Sequence, residues 1–302
     1  MKLLITGVTG LIGSHIRKLC EEKNYTIHYL TTRKEKIENQ PHYKGFYWNP
    51  ETGEIEEDCI IGVDKIIHLS GASIAKRWTK NYRKEIISSR IKTASLLYDL
   101  LKEKENQVSQ FISASAIGIY PSSKSKLYDE FSEDKADDFL GLVVQEWEKS
   151  ADKFSELGIE VAKLRIGLVL SKNHGFLAEI KKPVQYFVGS SLGSGKQWQS
   201  WIHIDDLARL FLFAVENDLE GVFNAVAPNP VMQKYLIKSI AQTLKKPILL
   251  PPVPEFVLKT ALGEMANLIT SSQLVVSKHW GNSKFIFRHT QVEGAIKDLL
   301  KS

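Results

Sequence analysis

Residues 2 to 13, Lys-Leu-Leu-Ile-Thr-Gly-Val-Thr-Gly-Leu-Ile-Gly, run a short apolar strand into three glycines at positions 7, 10 and 13. Gly7 permits a tight turn off the strand, and Gly10 lets the backbone approach a pyrophosphate. Gly13 lets a new helix pack closely on the sheet while its N-terminal amides face the anion. A glycine triad alone is weak evidence, so its setting decides. Here it follows a strand and leads into Leu11, Ile12, Ile16 and Leu19 at near-helical spacing. The turn reads as a phosphate cradle, with Thr9, Leu11 and Ile12 beside the glycines as cofactor-binding positions.

Beyond the cradle, strands and helices alternate, the pattern of a doubly wound parallel sheet. Strands are expected at 2–6, 26–31, 65–69, 110–115 and 159–166, and long helices near 80–102 and 138–156. The first helix repeats apolar positions at Ile87, Ile91, Ala94, Tyr98 and Leu101, and the second at Leu140, Val144, Trp147, Ala151 and Phe154. Residues 45–54 carry an aromatic run and turn residues where a simple Rossmann protein has a helix, which predicts an inserted strand or hairpin. After about residue 166 the alternation loosens.

Composition permits this architecture and excludes several others. Forty Lys and Arg against thirty-five Asp and Glu leave a net charge of +5, spread along the chain. That is too small and diffuse to argue for nucleic acid. The two cysteines, Cys20 and Cys59, make no metal pattern and suggest no disulfide framework. No His, Cys or carboxylate cluster has metal-ligand spacing. The N-terminal apolar run is too short for a signal peptide, and no stretch approaches a membrane span. The expectation is a cytoplasmic protein with a small-molecule substrate, without nucleic-acid or membrane partners, acting as a monomer or homodimer.

Residues 6–13 have the T-G-x-x-G-x-x-G form of the short-chain dehydrogenase/reductases, and the chain length resembles their extended branch of epimerases and dehydratases. The stretches 64–72, 111–120, 193–203, 223–231 and 262–266 look like one atypical subgroup, the "epimerase family" proteins. The resemblance covers nearly the whole chain. It implies a Rossmann domain over 1–166, joined by 200–218, and a smaller α/β substrate lobe over most of 167–302, with a cleft between them. It also implies that Leu69, Ser70, Gly71, Ala72 and Ser113 meet the cofactor, that Arg90 meets the cofactor or a substrate anion, and that Lys196, Trp198, Trp201 and His203 border a substrate loop.

Cofactor choice is argued from the end of the second strand, where an NAD enzyme places an acidic residue on the ribose hydroxyls. This chain has Thr31-Thr32-Arg33-Lys34. A carboxylate would repel a 2′-phosphate, whereas a guanidinium grips it, so Thr32 and Arg33 point to NADP(H).

Ordinary family members use Y-x-x-x-K on one helix, where the ammonium readies the tyrosine for proton transfer. If Glu148 matches the glutamate trailing that motif, Leu140 stands at the tyrosine position and Val144 at the lysine position. Neither moves a proton. Ser115 and Tyr120, at the exit of the fourth strand, become the catalytic candidates. His203 is a further acid or base candidate, with Asp205 and Asp206 read as helix caps. Gly193-Ser-Gly195-Lys196 fails the phosphate-loop pattern and reads as a mobile active-site loop. Two functions follow: an NADP-dependent oxidoreductase or epimerase acting on a small polar, sugar-like molecule, or a redox-sensing NADP(H)-binding protein without turnover.

Overall fold

The computed structural model describes residues 1–301. Seven parallel strands form the central sheet: β1 (Lys2–Thr6), β2 (Thr26–Thr31), β3 (Tyr43–Asn49), β4 (Lys65–His68), β5 (Gln110–Ala116), β6 (Glu160–Ile166) and β7 (Gly221–Ala225). Their order is β7-β6-β5-β4-β1-β2-β3, with the two-residue strands Asn39–Gln40 and Glu54–Ile55 antiparallel to β3. The direction of winding reverses at β1, so a crevice opens between β1 and β4 at their C-terminal ends. Thr6 is in register there with both Leu30 and His68.

Alternation along β1 puts Leu3 and Ile5 on one face and Leu4 on the other. The first face packs with Ile16, Ile67, Leu164 and Phe211 under helices α1 (Leu11–Glu22) and α5 (Ile204–Glu216). The second packs with Ile66, Leu97, Phe111 and Phe154 under α2 (Lys80–Glu103) and α3 (Phe139–Asp152). Helices α4 (Gly175–Gln185) and α6 (Gln233–Thr243), with Val292–Lys301, enclose a third core around Trp201, Leu236 and Ile296. Residues 204–216 therefore lie against the sheet, and residues 221–225 extend its edge.

No α-helix separates β2 from β3. A short turn at Lys34–Lys36 replaces it, pinned by Tyr29, whose hydroxyl donates to the Lys36 carbonyl and accepts from the Glu38 amide, both at 2.7 Å. Gly45 makes room for that tyrosine, since a β-carbon there would lie 2.5 Å from its ring. The expected strand and hairpin at 45–54 are present as β3 and Glu54–Ile55. Among the described residues no helix is long and apolar enough to cross a membrane, and both cysteines are free and buried.

Candidate functional site

The cradle is built as its glycines require. Gly7 has φ +69°, a conformation open to glycine. A β-carbon at Gly13 would lie 2.4 Å from the Gly7 carbonyl oxygen and 2.5 Å from the Val8 Cα, so this glycine serves the contact between helix and turn. Gly10 is different. It has an ordinary extended backbone, and a β-carbon there would meet only the Gly7 carbonyl, at 3.1 Å. Space is kept clear in front of the α1 N-terminus, where unpaired amides favour an anion. The residues present thus fit a pyrophosphate.

Three cavities run along the strand ends and share residues at their borders. The first, about 610 Å³, holds Gly7, Thr9, Thr32, Arg33, Ser70 and Gly71 on its walls, with Ala72, Lys36 and residues 48–51 of the β3 hairpin. Among the described residues the Arg33 guanidinium has no carboxylate partner. The second, about 430 Å³, lies beside Thr9, Gly10 and Leu11 and is closed by residues 171–174, His15 and His203. The third, about 400 Å³, is mostly apolar. It is walled by Leu140, Val143, Val144 and Trp147 of α3, with Phe176, Trp198 and Leu268, and it also holds Arg90, Ser115 and Tyr120.

A buried relay holds the crevice floor. The Thr6 hydroxyl oxygen accepts from the amides of Leu69 (3.0 Å) and Ser70 (3.2 Å), so its own proton goes to Nδ1 of His68, 2.9 Å away. His68 is then neutral and donates from Nε2 to Thr93 on α2, at 3.2 Å. Burial, with a smaller contribution from the Arg90 charge, pushes the imidazole down to about 3. Below its ordinary value of 6.5 the unfolded chain takes up a proton that the folded protein refuses. Stability should therefore fall as pH drops from 6.5 toward about 3, by on the order of 1 kcal/mol per unit, with no contribution above 6.5. Urea midpoints measured from pH 7.5 to 4.5 should show this slope, and the slope should be shallower for His68→Gln.

Ser115 and Tyr120 belong to one network. The Ser115 hydroxyl donates to Glu148 at 2.6 Å, and Arg165 pairs with both Glu148 oxygens at 2.8 Å. Arg165 Nη1 donates to the Tyr120 hydroxyl, which donates to Asn224, each at 2.9 Å. Burial alone would raise the Glu148 carboxyl, but Arg165, helped by Ser115, holds it below its usual range. Burial raises the Tyr120 phenol against the pull of Arg165 and Asn224. Sequence reasoning missed Arg165, which shares its strand with Glu160 and Lys163 and gives no local sign of its burial, and the wall supplied by residues 267–273.

Other expected positions fall elsewhere. Ser113 is buried within β5, donates to the Ala114 carbonyl and lines none of the three cavities. Trp201 is fully buried, and its indole donates to the Asn229 carbonyl in the loop after β7. Lys196 is exposed and Ile12 packs into the core; neither lines these three cavities, and Leu69 contributes there only its backbone hydrogen bond. The 193–196 loop is tied down by bonds from Gly193 to Val253 and from Lys234 to Gly195. The α5 cap is His203 itself, whose Nδ1 accepts from the Asp205 amide, while Asp205 reaches His15 and Asp206 holds the amides of Arg288 and His289. His203, His289 and Asp298 lie close enough to share a cation. However, the Asp205 amide at Nδ1 leaves the His203 proton on Nε2, which makes that atom a donor and not a ligand.

Strand order, glycine cradle and strand-end cavities together define a doubly wound α/β protein of the Rossmann type. Residues 3–141 match the family model described as NAD dependent epimerase/dehydratase family, and residues 253–299 match a domain of unknown function, DUF1731. An epimerase family protein of Staphylococcus epidermidis is 35% identical over 302 residues, covering 100% of this chain and 99% of that one. One of Staphylococcus aureus is 34% identical over 299 residues, covering 99% and 98%. Among solved structures, the human epimerase family protein SDR39U1 with NADPH has a TM-score of 0.86 at 23% identity over 100% of this chain and 99% of that chain. A nucleoside-diphosphate sugar epimerase from Corynebacterium glutamicum has a TM-score of 0.78 at 29% identity over 99% of this chain and 58% of its own. The chain belongs to the NAD-dependent epimerase/dehydratase family, among its epimerase family proteins.

Proposed function

We propose that the protein is an NADP(H)-dependent oxidoreductase or epimerase that acts on a small molecule held in the apolar cavity under α3. The observation that carries this reading is the run of cavities from Arg33, past the clear space at Gly10, to the α3 wall. Its course across the strand ends, past the α1 N-terminus, suits a dinucleotide with its phosphates at the cradle. Family membership and the NADPH in the human relative's structure support the same reading. Bound nicotinamide would supply or accept a hydride at the α3 end. Arg33 and Lys36, on the wall of the first cavity, supply charge for a 2′-phosphate.

With Glu148 aligned to the glutamate that trails the family motif, Leu140 and Val144 take its tyrosine and lysine positions, and both line the α3 wall. Ser115 and Tyr120 stand nearby as candidate proton donors. Their protons are committed to Glu148 and Asn224, so we assign these hydroxyls to holding the wall and leave the proton to solvent at the cavity mouth.

Cofactor choice is tested by titrating NADPH and NADH against wild type and Arg33→Ala. Loss of a charge-assisted contact costs about 1.5–3 kcal/mol, so NADPH affinity should fall by roughly 10- to 100-fold while NADH affinity stays nearly constant. Equal NADPH affinity in the two proteins overturns the assignment.

A further inference from the structure

Arg90 is a buried cation without an anion. It is 8% exposed. Its Nη1 donates to the carbonyls of Ala72 (3.2 Å) and Ile86 (2.8 Å), and among the described residues it pairs with no carboxylate. Burial lowers the guanidinium to about 10, so it stays charged at neutral pH. The charge sits 4.6 Å over the Trp147 ring. Trp147 is one helical turn beyond Val144 on the same face of α3. Two donors here, Arg90 Nε and Trp147 Nε1, are buried and lack acceptors. An unmet buried donor costs about 1–3 kcal/mol, and both residues line the apolar cavity.

Most other polar groups on that cavity wall are already engaged. Ser115 serves Glu148, Ser200 serves the carbonyls of Gln273 and Val275, Gln273 serves those of Ile117 and Tyr120, and Asp138 caps α3. A sugar needs a partner for each buried hydroxyl; Asn267, Ser271 and the Trp198 indole carry no side-chain hydrogen bond among the described residues, but the walls next to Trp147 on α3 are the apolar Leu140, Val143 and Val144. They suit a molecule that is apolar except at one oxygen.

Building on the proposed hydride chemistry, we propose that Arg90 is the cation of the reaction centre, placed by α2 over Trp147, one turn beyond Val144 on α3, and that the substrate is an apolar carbonyl compound. In reduction, hydride from reduced nicotinamide forms the new C–H bond. The carbonyl π pair moves onto oxygen, the oxyanion forms against the Arg90 guanidinium, and a solvent proton completes the alcohol. NADPH is oxidised and the carbonyl is reduced. A preorganised charge in a water-poor site is most effective against such developing negative charge.

Benzoate and benzyl alcohol are matched probes of that arrangement: equal in ring, different in charge. Calorimetry on the wild-type protein, with and without NADP⁺, should show benzoate binding at least 10-fold tighter than benzyl alcohol. In Arg90→Met the preference should reverse, and in Arg90→Lys part of it should survive. Wild type that prefers benzyl alcohol overturns the proposal without reference to any variant's folding, as does a benzoate preference unchanged in folded Arg90→Met. NADP⁺ is titrated separately. Failure to bind it sinks the proposed function, while the probe titration without nucleotide still decides the role of Arg90.

Discussion

Replacing Glu148 by alanine is expected to destabilise the protein by about 3–5 kcal/mol, the scale for breaking a buried ion pair from one side. Both partners of the Glu148–Arg165 pair are only 9% exposed. The substitution leaves the Arg165 charge buried beside Tyr120, and the Ser115 hydroxyl loses its acceptor. A domain's whole stability is about 5–15 kcal/mol, so the loss is a large share of it. Urea denaturation should show the midpoint falling. The double variant Glu148→Leu with Arg165→Met should recover much of the loss, because it removes the stranded charge along with its partner. A double variant no more stable than Glu148→Ala would mean that the hydrogen bonds to Ser115 and Tyr120, and not the charge, dominate.

Gly10→Val is expected to weaken NADPH binding by about 100-fold or more with the fold retained. An extended backbone at position 10 accepts valine, and the added β-carbon meets only the Gly7 carbonyl oxygen, which must yield by a few tenths of an ångström. The branched side chain then fills the space in front of the α1 amides. Loss of two charge-assisted bonds at about 1.5 kcal/mol each gives that fold-change. Gly13→Val makes the contrast, since its β-carbon would run into the Gly7 and Val8 backbone at 2.4–2.7 Å. Thermal melts should show Gly10→Val near wild type and Gly13→Val strongly destabilised. Calorimetry that finds NADPH affinity intact in Gly10→Val would make this turn structural only.

The core elements were legible in the sequence because their signals are local. A β-strand alternates within five or six residues, and a glycine turn acts within eight, so β1, the cradle, β2, β5 and β6 fall within a residue of their expected bounds. The hairpin at 45–54 was legible for the same reason, from an aromatic run next to turn residues. His203 and its following aspartates were misassigned by one step. Ser, Thr, Asp and Asn are the usual caps, and only the turn of the backbone brings Nδ1 of His203 onto the Asp205 amide.

What the sequence by itself determined is the doubly wound sheet, the glycine turn into α1 and the basic end of β2, since each depends on residue types a few positions apart. Only the tertiary structure decided the chemistry of the far end. Arg165 lies 17 residues from Glu148 and 45 from Tyr120, and Arg90 meets Trp147 across two helices. Whether a charge is paired, stacked or left without a partner depends on burial and on neighbours remote in the chain. Desolvation makes those interactions strong, and it exists only once the core has closed around them.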